Sequence, residues 1–271
     1  MKRLFYWAIA AALVCGSTVF TSCNVSDDNP VIPDLNLSEK IIGKWMPDNA
    51  DGKAVLTNNK SVITIISATK GTISTAINSR TDMASQWVQE TDLDVVINGN
   101  MMTLTSTPDE HQKVVEEFNV TAISDTEFTA EHKMTITVDG SVTFTSENVV
   151  SYAKVPVDFT ADIVGTWQGR CTSEGSVFDD GQEHRWQYNA DGTYIYYVKD
   201  GDNWVASDNT MNEYFVDGNL LCSRWKNAGE NTENREWWEI TIDNGVMNWQ
   251  ALRQDTDGTT FIATFEMTKV Q

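Results

Sequence analysis

The side chains best suited to recognition chemistry gather in the second half of the chain. Seven of its ten tryptophans, Trp167, Trp186, Trp204, Trp225, Trp237, Trp238 and Trp249, fall after residue 160, together with Tyr188, Tyr194, Tyr196, Tyr197 and Tyr214. Aromatic rings either fill a small core or present flat apolar faces to a ligand, and filling is the commoner use. The excess here is large enough to consider a site. Tyr194 and Tyr196 share one face of an extended strand while Tyr197 takes the other, and Trp237 and Trp238 likewise point to opposite faces. One member of each adjacent pair must leave the core side. An inward set would line an apolar pocket, with Tyr194, Tyr196, Trp225 and Trp249 as candidate ligand-binding residues. An outward strip would instead suit stacking on sugar rings.

Other chemistry is poorly represented. His111, His132 and His184 have no second histidine at metal-ligand spacing, and Glu183-His184 alone is not a zinc motif. Acidic stretches such as Asp179-Asp180 and Asp255-Thr256-Asp257-Gly258 lack the alternating oxygen array that holds calcium, and Asp-Gly is what hairpins need anyway. No serine or cysteine occupies a nucleophile elbow, and no glycine-rich phosphate loop follows a strand. The expectation is a non-enzymatic protein with no cofactor and no metal. A formal charge of −20, from 19 basic and 39 acidic residues, repels phosphate backbones and anionic headgroups, so nucleic acid is a poor partner.

These residues must be positioned by strands. Ile41-Ile42-Gly43-Lys44-Trp45 returns as Ile163-Val164-Gly165-Thr166-Trp167, a tight turn at glycine followed by a strand whose first large side chain points inward. Ser38 caps the single helical turn expected before the first copy. Val96-Ile97-Asn98-Gly99-Asn100-Met101-Met102 lines up with Phe215-Val216-Asp217-Gly218-Asn219-Leu220-Leu221, Glu117-Phe118-Asn119-Val120-Thr121 with Trp237-Trp238-Glu239-Ile240-Thr241, and Ala153-Lys154-Val155 with Thr268-Lys269-Val270. One unit has been built twice, with the boundary in residues 156–159. Short β-branched and aromatic runs separated by Asn-Gly and Asp-Gly turns predict about eight strands per unit, joined mostly by hairpins. The fold class expected is all-β: two tandem up-and-down antiparallel β-barrels over 38–155 and 156–271. Cys171 falls on the first strand of the second unit and Cys222 on the fifth. Strands so placed face each other across a barrel, so a disulfide between them would require a flattened, filled interior; two buried thiols are the alternative.

The N-terminus is positive at Met1-Lys2-Arg3 and then apolar from Leu4 to Phe20, too short for a stable membrane span and typical of an export signal. Val19-Phe20-Thr21-Ser22-Cys23 resembles a bacterial lipobox, with Phe20 where leucine is usual. This resemblance implies cleavage after residue 22 and a lipid on Cys23. Residues 23–37, polar and broken by Pro30 and Pro33, then form a tether. Asn24-Val25-Ser26-Asp27-Asp28-Asn29 is similar to acidic tags that direct some lipoproteins to the cell surface, which implies an outer-membrane lipoprotein held through its N-terminal lipid.

A glycine, a spacer and a tryptophan at the head of an eight-strand meander resembles the lipocalins and the lipocalin-like barrels of bacterial lipoproteins. The resemblance covers most of the chain after the tether, and it implies that Trp45 and Trp167, with Gly43 and Gly165, close one end of each barrel. It further implies a basic residue near the last strand packed on each tryptophan, and Lys154 and Lys269 occupy those places where arginine is usual. The family's C-terminal helix has no counterpart before Gln271. The ligand so implied is small and hydrophobic or amphipathic, held within a barrel; glycan binding on exposed aromatics, or a structural, partner-binding protein with filled barrels, are the alternatives.

Overall fold

A computed structural model describes residues 35–48, 59–77, 87–174, 176, 179–254 and 258–270. Cys23, the leader and most of the tether lie outside the described residues, as does Asp255-Thr256-Asp257. No helix among the described residues is long and apolar enough to cross a membrane.

The first unit is a closed barrel of eight antiparallel strands: β1 (Gly43–Asp48), β2 (Asn59–Ser67), β3 (Lys70–Ile77), β4 (Trp87–Asn98), β5 (Met101–Ser106), β6 (Gln112–Ile123), β7 (Glu127–Val138) and β8 (Ser141–Val155). Each pairs with the next, and β8 returns to β1 from Lys44↔Val155 to Asp48↔Ser151. The turn chemistry explains the meander. Asp139 and Gly140 both have positive φ between Val138 and Ser141, the backbone that a two-residue hairpin with the natural strand twist requires.

The second unit comprises β9 (Gly165–Cys171), β10 (His184–Tyr188), β11 (Tyr194–Asp200), β12 (Asn203–Ala206), β13 (Met211–Asp217), β14 (Leu220–Lys226), β15 (Asn234–Asp243), β16 (Val246–Gln254) and β17 (Thr260–Val270). It has nine strands where eight were expected, because the Gly201-Asp202 turn folds β12 back on the end of β11. The order is β12-β11-β10-β9-β17-β16-β15-β14-β13, a curled sheet whose edges meet at one end only. There Thr193 bridges Glu213, Tyr214 N–H donates to Gly192 O at 2.8 Å, and the Tyr214 hydroxyl donates to Asn189 O at 2.7 Å. Away from this seam β12 and β13 are unpaired edges, so the barrel is a cup open on one side.

Both copies of the doubled motif adopt the same geometry. Gly43 and Gly165 each have φ 131°, and the Trp45 and Trp167 indoles each donate to the carbonyl four residues back, Ile41 and Ile163, at 2.6 Å. The helical turn α1 (Leu37–Lys40) is entered through Asn36, in the left-handed region, whose amide donates to Glu39. Ser38, the expected cap, falls inside the turn because Leu37 is buried and anchors its first residue to the core.

Residues opposite each other in a ladder share a face, which fixes the phase of every strand. In the second unit Trp167, Trp186 and Tyr196 form one inward row, as do Cys171, Phe265 and Trp249. The outward face of β13–β15 is also buried. Phe215, Leu220, Cys222 and Trp237 belong to one apolar cluster with Met46, Val62 and Ala76, which point away from the interior of the first barrel. The two units therefore pack wall to wall. Trp87 meets Phe215 edge-on at 4.8 Å, and Lys60 pairs with Glu239 at 2.6 Å.

Of the two alternatives for the cysteines, the structure has the buried thiols. Cys171 faces inward opposite Phe265, whereas Cys222 faces outward between its ladder partners Phe215 and Trp237, with β17, β16 and β15 between the two cysteines. Both are buried free thiols.

Candidate functional site: the open mouth of the second barrel

The closed end of the second unit is an apolar floor. Ile163, Trp167, Ile240, Met247, Leu221 and Met267 are fully buried there, and Lys269 Nζ stands 5.1 Å from the Trp167 ring centre. The first unit repeats the arrangement, with Lys154 Nζ 5.1 Å from Trp45. A lysine over an indole face joins a cation–π attraction to cover for the ring edge. Side chains at Gly43 or Gly165 would collide with these lysines, since a Cβ there would lie 2.9 Å from Lys154 Cε or 2.7 Å from Lys269 Cε.

Above the floor lies an aromatic layer. Trp249 contacts Trp186, Trp238 and Phe265 at centroid distances of 4.9, 5.4 and 5.7 Å, and Trp186 continues to Tyr196 at 5.2 Å. Tyr188 links Tyr194 at 5.9 Å and Tyr214 at 4.8 Å. Burial raises the hydroxyl pKa values of Tyr188 and Tyr194, with the nearby Glu236 charge acting in the same direction, so both are neutral donors at all ordinary pH.

Toward the open side the inward side chains stop being sealed. Trp186, Tyr196, Trp225, Phe261 and His184 face the interior yet remain only half-buried. His184 is oriented by Tyr196 Oη at 2.9 Å and Asp180 at 3.2 Å. The wall itself loosens here. β15 and β16 pair only from Glu239↔Gln250 to Asp243↔Val246, although β15 begins at Asn234 and β16 runs on to Gln254. Arg253 occupies the resulting gap, donating to Trp237 O at 2.6 Å and to Leu252 O at 3.3 Å, with its guanidinium 4.8 Å from the Trp237 ring and 4.5 Å from the Trp238 ring. Burial pulls its pKa down to about 10, against the opposing charge of Glu236.

All four sequence candidates face inward. Trp249, 3% exposed, and Tyr194 belong to the packed layer; Tyr196 and Trp225 stand at the mouth. Trp186 joins Tyr196 to Trp249, while Trp225 lies on the other side of the opening between its ladder partners Asn212 and Asn234. Glu236 and Arg253 went unnoticed in the sequence. The signal for Arg253 was its alternation with Trp249 and Ala251 on a single face of β16, a charge in phase with a core.

The outward aromatics do not form an open strip. Trp237 is 2% exposed beneath the first barrel, and Arg185 covers the Trp204 ring at 4.5 Å. A groove of about 470 Å³ on the outer face of β9 and β17 is lined by Gln168, Arg170, Glu183, Glu266 and Thr268, where Glu183 already pairs with Lys199 at 2.8 Å and with Arg170 at 3.8 Å. The first barrel is filled: Trp45 meets Phe128 at 5.1 Å, Phe128 stacks on Tyr152 at 4.8 Å, and a buried His132–Glu116 pair at 3.0 Å crosses its interior. Among the described residues no three His, Cys, Asp or Glu side chains converge as metal ligands.

No family model and no curated protein matches the chain. Among solved structures, similarity extends to a double mutant of transferrin binding protein B from Haemophilus parasuis, at 9% identity over 79% of this chain and 54% of that one, with a TM-score of 0.25. A single mutant of the same protein is 11% identical over 80% of this chain and 61% of its own, with a TM-score of 0.24. A protein of unknown function of the DUF3598 family from Nostoc punctiforme is 8% identical over 88% and 99%, with a TM-score of 0.24. The chain thus spans little more than half the length of the transferrin binding protein B structures, and scores this low carry no argument about activity.

Proposed function

We propose that the chain is a non-enzymatic surface lipoprotein, held to the outer membrane by lipid on Cys23, that binds a small hydrophobic or amphipathic ligand in the open mouth of its second barrel. The observation that carries this reading is the half-exposure of Trp186, Tyr196 and Trp225 on a face that a closed barrel would seal. Aromatic walls around an unsealed opening suit an apolar body entering from water.

The test is intrinsic tryptophan fluorescence of residues 24–271, titrated with neutral alkyl chains and sterols in parallel with a polysaccharide panel. Saturable change with the apolar panel, lost in Trp225→Ala, is the expected result. A response to glycans alone would replace this reading with surface stacking. Silence in both panels would favour a second reading, a partner-binding protein with filled barrels, which the tight ring spacing around Trp249 supports. Anchoring is tested separately: an alkyne fatty acid fed to expressing bacteria should label the intact protein and not the Cys23→Ser variant.

A further inference from the structure

The open mouth carries buried hydrogen-bond donors with nothing to donate to. Asn234, at the start of β15 and 7% exposed, faces inward with no partner for its Nδ2 among the described residues, and Trp249 Nε1 is likewise buried and unpartnered. A buried donor left without an acceptor costs roughly 1–3 kcal/mol, so such groups in a folded protein call for a missing partner. Arg253 adds to them. Its side-chain hydrogen bonds go to backbone carbonyls, it enters no ion pair with a described residue, and the charge of Glu236 acts on it. Carbonyls satisfy some of the guanidinium's five N–H groups but neutralise none of its charge.

These groups belong to adjacent strands of the cup wall. Asn234 and Arg253 lie on the two strands that separate at the wall gap, and Trp238 connects the Arg253 guanidinium at 4.5 Å to the Trp249 ring at 5.4 Å. What Asn234 and Trp249 lack is an acceptor, and beside a guanidinium bonded only to carbonyls the fitting acceptor is an anion. Resting on the proposed ligand site, we infer that its ligand is an amphiphile with a carboxylate-type head, the alkyl or ring body lying on Trp186, Tyr196 and Trp225 and the head accepting from Arg253 and Asn234.

The experiment compares dodecanoate, dodecanol and dodecylammonium, each below its micellar concentration, as competitors of the neutral dye N-phenylnaphthylamine bound to residues 24–271. Dodecanoate should displace the dye about tenfold more tightly than the other two, the margin of one charge-assisted hydrogen bond. Arg253→Gln should abolish that preference while dye binding persists, and Asn234→Asp, which puts a negative charge where a donor stood, should reverse it in favour of dodecylammonium. Dye binding with equal displacement by all three head groups would overturn the anionic head and leave the ligand site standing. Failure of the dye and of all three amphiphiles to bind would overturn both.

Discussion

Lys44 Nζ and Asp217 Oδ1 stand 2.5 Å apart across the junction of the two barrels, and Asp217 is 2% exposed. The lysine is the spacer of the first Gly-x-Trp motif; the aspartate closes the hairpin that the second unit shares with Asn98-Gly99 of the first. Asp158 of the linker approaches the same ammonium at 3.3 Å. Burial pulls the Lys44 pKa down, but the hydrogen bond and charge of Asp217, then those of Asp158, more than offset it and hold it above its ordinary value. With Lys60–Glu239, the Lys44–Asp217 pair supplies the ionic contacts of an interface whose other members are largely apolar.

Removing Lys44 should therefore strand a buried carboxylate. Lys44→Ala is expected to cost about 3 kcal/mol, the usual penalty for breaking a buried pair from one side. In urea unfolding the single transition of the parent should separate into two as the units uncouple. Adding Asp217→Asn should recover more than half of the loss; no recovery would mean that the lysine acts through packing alone.

The conformation of the doubled glycine makes a sharper comparison. Gly165 has φ 131° and lies under Lys269, whereas Gly99 has φ 58° with open space around it. Gly165→Ala is expected to cost about 2–3 kcal/mol through backbone strain and displacement of the lysine, against about 1 kcal/mol for Gly99→Ala. Thermal unfolding of the two variants checks the order.

The buried histidine of the first barrel predicts a pH dependence. Burial pulls the His132 pKa down, but the hydrogen bond and charge of Glu116, with a further bond to Asn148, hold it above 6.5. Folding thus favours the protonated form, so its contribution is complete below the unfolded value and is lost as pH rises through the folded one. With Glu116, Asn148 and the stacked Phe118 as the groups facing it, stability attributable to His132 should fall as pH rises from the ordinary histidine value through the higher folded one. The His132→Gln variant should show a flatter profile over that interval.

The cysteines give a prediction about redox chemistry. Burial pushes the Cys222 thiol well above its ordinary pKa, reinforced by the Asp217 charge, so it should resist thiol reagents in the native chain and react once denatured. Reductant should leave the melting temperature unchanged. A reductant-sensitive melt would contradict the opposite-face placement of Cys171 and Cys222.

Much of the architecture was legible because its signals are local. Asn98-Gly99, Asp139-Gly140 and Asp217-Gly218 specify hairpins through the positive φ that their second residues tolerate, and hairpins in series leave few topologies besides a meander. The parity of Tyr194, Tyr196, Trp225 and Trp249 could not be read, since alternation tells which residues share a face but not which face is inside. Trp237 and Trp238 show the same limit: the sequence required one to leave the core side, and Trp237 does, but it enters a second core against Val62 and Met46. Burial on both faces arises from contact between units, which no local pattern records. The lapse in pairing between β15 and β16, with Arg253 in it, is likewise invisible in a strand that alternates regularly.

The most direct test of the open mouth is the indole N–H region of a proton–nitrogen correlation spectrum of residues 24–271, recorded during titration with dodecanoate and assigned by single Trp→Phe substitutions. The Trp249, Trp225 and Trp186 signals are expected to shift together and saturably while those of Trp45 and Trp167, buried at the closed ends, stay in place. Stationary Trp249, Trp225 and Trp186 signals, or shifts confined to the outward Trp204, would contradict a site at the open mouth.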